Sequence, residues 1–261
     1  MDRIRRALYF PYMKTIVACR MMVTTFFLFL CSATFSIGNE NIHHAGTGGR
    51  NVVKTGNPGE ASVRTRSIVI IGASYARGWT GFSPRNSKIL NKGVNGEQSF
   101  EMLARFRKDV VDEHPDVVII WGFINDIFRS SREKIDPTLE RTRGSIVEMV
   151  DLARANGIKP VIATEVTIRG RSGIKEAIAT WIGRLKGAES YQDYVNRHVL
   201  DTNQWIREYA REKGIALLDL QPLLADGEGR RKKEYAKNDG SHLSEAAYTR
   251  LSRYAEAYIS Q

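Results

Sequence analysis

Cysteine is nearly missing from this chain of 261 residues: there are two, Cys19 and Cys31. Both lie in the first 37 residues, so no disulfide can hold anything downstream, and the pair says nothing about redox compartment. Histidine is scarce too. The five are scattered, and the one adjacent pair, His43-His44, stands in a polar stretch without companion ligands. No metal site is expected from such spacing, and no cofactor. Internal repeats are absent, and apart from Met21 to Ile37 there is no long run free of charge. The remaining composition, 42% hydrophobic and 26% charged, is that of a globular protein with room for one substantial domain plus extras.

The apolar run from Met21 to Ile37 follows Arg3, Arg5, Arg6, Lys14 and Arg20 and precedes small and polar residues. Basic, then apolar, then small is the layout of a secretory signal. The run also sits at the short end of the roughly 17 to 25 residues that span a bilayer. Residues 1–37 are therefore expected to be a signal peptide or an N-terminal membrane anchor, with residues 21–37 as the anchoring part. Ser32-Ala33-Thr34 and Ser36-Ile37-Gly38 offer small residues for cleavage, whereas Leu30 is too bulky just before Cys31 for a lipoprotein signal. The long basic lead is compatible with translation starting at Met13 or Met21. In each case the basic end stays in the cytoplasm and the remainder is exported, to the periplasm or the medium. Residues 38–65 are rich in Gly, Asn and Thr and read as a flexible linker. Residues 66–261 form the domain.

Within the domain, short β-branched runs alternate with helical patterns. Ser67 to Ile71 and Val117 to Trp121 are buried-strand runs, with a further strand-like stretch before Asn91. An amphipathic helix is predicted from Ser99 to about Asp112. Asp136-Pro137 reads as an N-cap followed by proline at the first helical position, opening a helix that stops near Asn156-Gly157. Lys159 to Thr164 is a fourth strand and Ile215 to Asp219 a fifth. Helices are predicted from Tyr191 to Lys213 and from Leu243 to Ile259. Residues 167–189, polar, basic and punctuated by glycine around Trp181, read as an insertion or lid-like excursion. Strands separated by helices imply right-handed crossovers and a parallel sheet.

Chemistry concentrates at four places. Asp239-Gly240-Ser241-His242 puts a carboxylate three residues before an imidazole in a short polar turn. Such a turn can hold the carboxylate on one ring nitrogen and leave the other free as a base. Ser74 follows Ile70-Ile71-Gly72-Ala73 at a strand's C-terminal end, where open α/β sheets place ligands. It is either a nucleophile or a cap for the next helix. Asn91-Lys92-Gly93-Val94-Asn95-Gly96 and Gly122-Phe123-Ile124-Asn125-Asp126 each supply a hydrogen-bond donor at a strand end. Acyl transfer needs such donors aimed at the developing oxyanion, although singly Gly96 is a turn glycine and Asn125 a loop or cap residue.

Together the four blocks resemble the SGNH (GDSL-type) hydrolase family, with Ser74, Gly96, Asn125 and His242 in the family's order and Asp239 three before the histidine. The resemblance covers roughly residues 66 to 259. The first block reads Gly-Ala-Ser where the name-giving version is Gly-Asp-Ser, a departure outside the four residues that name the family. The resemblance implies a three-layer α/β/α sandwich around a five-stranded parallel sheet, the flavodoxin-like arrangement of that family. It also implies an exported serine esterase. Ser74, Asp239 and His242 would be its catalytic triad, and the Ser74 and Gly96 amides with the Asn125 side chain its oxyanion hole. Short acyl esters, O-acetylated envelope sugars and lysophospholipids or related lipid esters are the substrate classes open to it. The absence of a large apolar lid favours small acyl groups. An acyltransferase or a non-catalytic ester- or glycan-binding module on the same fold is the alternative. The oligomeric state is not legible.

The net charge of +10 belongs partly to the N-terminal segment. Arg230-Arg231-Lys232-Lys233, just ahead of the Asp239 turn, reads as a solvated charged loop or as an attractor for anionic lipid, polysaccharide or phosphate-bearing substrate. No nucleic-acid motif accompanies it, and no nucleic-acid partner is expected. Trp79 and Trp181 line a pocket or simply pack.

Overall fold

A computed structural model of the protein describes residues 64–169 and 189–259. The expected signal or anchor segment, nearly all of the linker, and residues 170–188 of the excursion with Trp181 lie outside the described residues. At its centre is one five-stranded, wholly parallel sheet in the order β2-β1-β3-β4-β5. The strands are β1 (Arg66–Gly72), β2 (Ser87–Gly93), β3 (Val117–Trp121), β4 (Lys159–Ala163) and β5 (Ala216–Leu218). Helices cover both faces, which gives the three-layer sandwich the sequence implied.

The sheet's centre is dry. Every residue of β3 is buried, and Val69, Ile70 and Ile71 of β1 are no more than 1% exposed. Each such Val or Ile contributes about 1.5–3 kcal/mol by leaving water. Helix α2 (Ser99–Asp109) buries Met102 and Phe106, one turn apart, and packs on α4 (Ile135–Ala155), which buries Leu139, Ile146, Met149, Val150 and Ala153 at helical spacing. Helix α5 (Tyr191–Lys213) starts at Ser190, whose hydroxyl accepts from the Asp193 amide, and ends at left-handed Gly214. The last helix, α7 (Glu245–Ile259), buries Ala247, Leu251 and Ala255. Among the described residues there are also three short α-helices, α1 (Ser74–Gly78), α3 (Ile124–Phe128) and α6 (Gln221–Leu224).

Several boundaries differ from the sequence reading. Helix α2 ends at Asp109, and Val111–Glu113 tightens into a 3-10 turn closed by His114 at φ 46°. Helix α4 begins at Ile135, one residue before the expected cap, because the 3-10 turn Arg132–Lys134 leads into it and the Ile135 side chain is buried. Pro137 is then the third helical residue, where its missing N–H would still have had no partner. Strand β5 is three residues long, since Ile215 and Asp219 lie outside the ladder with β4. Asn91, Lys92 and Gly93 belong to β2 rather than to the loop after it. Helix α7 begins two residues after the expected Leu243, which instead bridges Ala236.

Candidate active site

Ser74, Gly96 and Asn125 follow β1, β2 and β3, three adjacent strands, so the sheet order gathers them at one edge. The approach of the strand ends is close. A Cβ on Gly72 would collide with the Trp121 carbonyl oxygen and the Ala76 side chain. Only glycine lets β1 end there, and the chain turns through Ala73 directly into α1. Ser74 is the first residue of that helix and is half-buried. Its amide is among the first N–H groups of a helix, which have no partner inside it.

Gly96 occupies a tight turn at φ 75°, a left-handed conformation that side chains disfavour, with the Arg129 guanidinium 3.1 Å from where its Cβ would sit. The turn is braced from below. Arg105 donates to both carboxylate oxygens of Glu97 (2.7 and 2.5 Å) and to Asp109 (2.7 Å). The Asn125 side-chain nitrogen donates to the Glu97 carbonyl at 2.9 Å. An amide nitrogen carries two hydrogens, so one fixes the side chain and the second remains to donate. Next to it, buried Asp126 accepts from the Ser99 amide (2.8 Å), the Ser99 hydroxyl (2.7 Å) and the Thr142 hydroxyl (3.0 Å). Burial pushes the Asp126 carboxyl up from its ordinary range against the pull of those donors.

The Asp239–His242 turn is closed at its base by an antiparallel bridge between Ala236 and Leu243, and Lys237 donates to the His242 carbonyl at 2.9 Å. Asp239 Oδ1 accepts the Ser241 and His242 amides, each at 2.8 Å, while Oδ2 lies 2.7 Å from His242 Nδ1. Partial burial raises the Asp239 carboxyl, but the His242 amide, the His242 ring and the Ser241 amide outweigh it and hold the group well below the usual carboxylate range. An ionised carboxylate on Nδ1 places the ring proton there and leaves Nε2 with its lone pair. The two side chains are 41% and 54% exposed, so the turn stands open to solvent.

The serine and histidine halves are joined through Tyr75, whose hydroxyl donates to the Ser241 carbonyl at 2.5 Å. The Ser74 hydroxyl itself makes no hydrogen bond to the His242 ring here; in unliganded sites such contacts are often long and tighten with substrate. The structure thus brings the Ser74, Gly96 and Asn125 loops to one sheet edge and ties the Asp239–His242 turn to α1. Among the described residues no group of three or more His, Cys, Asp and Glu could hold a metal ion.

Three supports went unread in the sequence. Arg231 belongs to the basic run assigned to solvent or to anionic substrates, yet it is fully buried, donating to the Ser241 and His242 carbonyls and to the Tyr75 hydroxyl. Glu165, also fully buried, accepts from the Phe123 and Ile124 amides at the start of α3. Asp126 was visible as part of the Asn125 block but not as a buried anchor. Trp79 packs: it stacks edge-on to Trp121, lies against Phe82 and donates to the Ser252 hydroxyl.

A family model of GDSL-like lipases and acylhydrolases matches residues 60–250. A candidate acylhydrolase from Bacteroides fragilis superimposes with a TM-score of 0.57 at 25% identity, over 75% of this chain and 86% of that one. An acetylxylan esterase from Geobacillus stearothermophilus shares the fold with a TM-score of 0.58 at 18% identity, over 76% and 95%. The Bacillus subtilis lipoprotein YqeF is 31% identical over 83 residues, and this chain spans about a third of its length, 34% against 32% of this chain. The chain belongs to the GDSL-like lipase/acylhydrolase family.

Proposed function

We propose that the protein is an exported serine esterase of small acyl or O-acetyl esters, acting through Ser74, His242 and Asp239. The observation that carries this is the 2.7 Å contact of Asp239 Oδ2 with His242 Nδ1, on a turn tied by Tyr75 to the helix that Ser74 begins. Nε2 takes the Ser74 proton as the hydroxyl oxygen attacks the ester carbonyl. The carbonyl oxygen becomes an oxyanion that accepts from the Ser74 and Gly96 amides and from the second Asn125 N–H. Collapse of this intermediate expels the alcohol, protonated by the imidazolium, and leaves an acyl group on Ser74. Water, deprotonated by Nε2, repeats the sequence and releases the acid. Asp239 stays ionised throughout, holding the tautomer and stabilising the imidazolium.

The small-acyl reading is supported by the exposure of His242, more than half open among the described residues, as a shallow site requires. It is also the chemistry that the acetylxylan esterase's name states for that protein. Free access of water supports hydrolysis over transfer to another hydroxyl. Export is supported by the relative named as a lipoprotein and by the basic-then-apolar N-terminus. Among the described residues no helix is long and apolar enough to cross a membrane, so attachment to one would fall to residues 21–37.

Hydrolysis of chromogenic esters from acetyl to palmitoyl, with the wild type and Ser74→Ala, tests the reading. Activity should be greatest at acetyl, fall with chain length and vanish in the variant while its circular dichroism is unchanged. Peak activity on long chains would move the substrate to lysolipids, and activity retained by Ser74→Ala would remove the nucleophile assignment.

A further inference from the structure

Arg231 is 0% exposed, and a wholly buried guanidinium is costly unless hydrogen bonds and pairing compensate it. Among the described residues no carboxylate bonds it directly. Its Nη1 donates to the Ser241 carbonyl (2.8 Å) and the His242 carbonyl (3.2 Å), and Nη2 donates to the Tyr75 hydroxyl (2.8 Å). Nε has no partner. The guanidinium carbon lies 5.2 Å from the centre of the Tyr75 ring. Among the described residues, every hydrogen bond the side chain makes therefore goes to the residue after Ser74 or to the turn that carries His242. The Ser241 carbonyl accepts twice, from Arg231 and from Tyr75, so the triangle closes.

Glu165 is also fully buried, and burial pushes its carboxyl up from the ordinary range. Among the described residues no cation is in hydrogen-bond contact with it, and it accepts from the amides of Phe123 (3.0 Å), Ile124 (3.3 Å) and Val166 (3.1 Å). Phe123 and Ile124 begin the short helix that bears Asn125. Arg231 thus reaches two parts of the candidate site, the serine loop through Tyr75 and the histidine turn through the Ser241 and His242 carbonyls, while Glu165 separately holds the amides at the start of the asparagine loop.

We propose that Arg231 is a positioning residue: together with Tyr75 it fixes the Asp239–His242 turn so that His242 presents Nε2 toward Ser74. This rests on the triad reading above. The arrangement suits a half-exposed histidine. With solvent on one side, the ring's direction is set by Asp239 and by its own backbone, and Arg231 holds the Ser241 and His242 carbonyls, one on each side of the His242 α-carbon. A hydrophobic residue of equal volume would fill the same space without reaching those oxygens.

The test reads the ring directly. Long-range proton–nitrogen spectra of the uniformly labelled protein report the His242 tautomer, assigned by the signal lost in His242→Gln. The wild type should show the Nδ1-protonated form. Arg231→Met should shift the population toward the Nε2-protonated form that a free histidine side chain prefers, and lower kcat on an acetyl ester at least tenfold with KM changed less than threefold. Tyr75→Phe, which removes one hydroxyl and little volume, should show the same two changes in smaller degree. It keeps the test open should Arg231→Met fail to fold. Arg231→Lys, a cation without the planar fork, should recover only part of the loss. A folded Arg231→Met or Tyr75→Phe with wild-type tautomer and kcat would overturn the proposal. So would a loss that appears only in thermal stability. Should the wild type hydrolyse no ester, the functional reading fails, yet the tautomer measurement still decides the positioning role.

Discussion

The Asn125 side chain donates one of its two amide hydrogens to the backbone carbonyl of Glu97 at 2.9 Å, which fixes its plane across the turn that contains Gly96. The Gly96 turn and the Asn125 side chain, to which the proposed mechanism assigns the oxyanion, are thereby tied together. Asn125→Ala should leave the fold intact, because Glu97 is held independently by Arg105. It should lower kcat by about a hundred- to thousandfold, or about 2.7–4 kcal/mol, with little change in KM. Steady-state kinetics on an acetyl ester give the answer, and an unchanged kcat would take Asn125 out of the oxyanion site.

Gly72 answers to space alone. A methyl group there meets the Trp121 carbonyl and the Ala76 side chain, and no rotamer change can move a backbone oxygen. Gly72→Ala should destabilise by more than the about 1–3 kcal/mol usual for overpacking, because β1 and β3 must separate where Ser74 is placed. Thermal unfolding measures the loss. Activity should fall further than stability alone explains, since the displaced segment leads directly into Ser74.

The strands, and the four blocks of the candidate site, could be picked out in the sequence because each is local. A β-branched run followed by glycine, or a carboxylate three residues before a histidine, declares itself within a few positions. Arg231 did not, because its burial depends on Tyr75, 156 residues away, and on the turn it helps to close. Within Arg230-Arg231-Lys232-Lys233 nothing in composition separates the inward residue from the outward ones. Glu165 was hidden for a similar reason: its partners are amides of α3, and backbone donors leave no signature in side-chain identity. The early start of α4 has another cause. Asp136-Pro137 is a sound local cap, but burial of Ile135 outweighed it.

Asp126 offers a separate check on how α2 is anchored. Its carboxylate takes three hydrogen bonds, two from Ser99 at the start of α2 and one from Thr142 of α4. Asp126→Ala would leave the Ser99 amide and hydroxyl without this acceptor, at about 1–3 kcal/mol for each that water cannot reach, while the Thr142 hydroxyl keeps the Thr138 carbonyl. Asp126→Asn should cost less, because it keeps an acceptor oxygen and burial already disfavours the charged form. Denaturant titration of the two variants should rank them in that order. The reverse order would mean that the negative charge itself is needed at the start of α2.

The pH dependence follows from Asp239. Its carboxyl is held below the ordinary range in the folded protein, chiefly by the His242 amide and ring and the Ser241 amide acting against burial. A depressed carboxyl stabilises the fold above its unfolded value, about pH 3.9, and that contribution is lost as pH falls through the lower folded value. Asp239→Asn should therefore be less stable than the wild type at neutral pH, and the gap should narrow below about pH 4. The same sign governs activity. Asp239 remains ionised through any assay above about pH 4, so an acid limb in that range reports a different group. In Asp239→Asn, kcat should fall about a thousand- to ten-thousandfold, because the amide no longer enforces the Nδ1-protonated tautomer. Profiles of kcat and thermal stability from pH 3 to 9 measure both effects. A stability gap that widened on acidification would show that the Asp239–His242 contact is not what holds the turn.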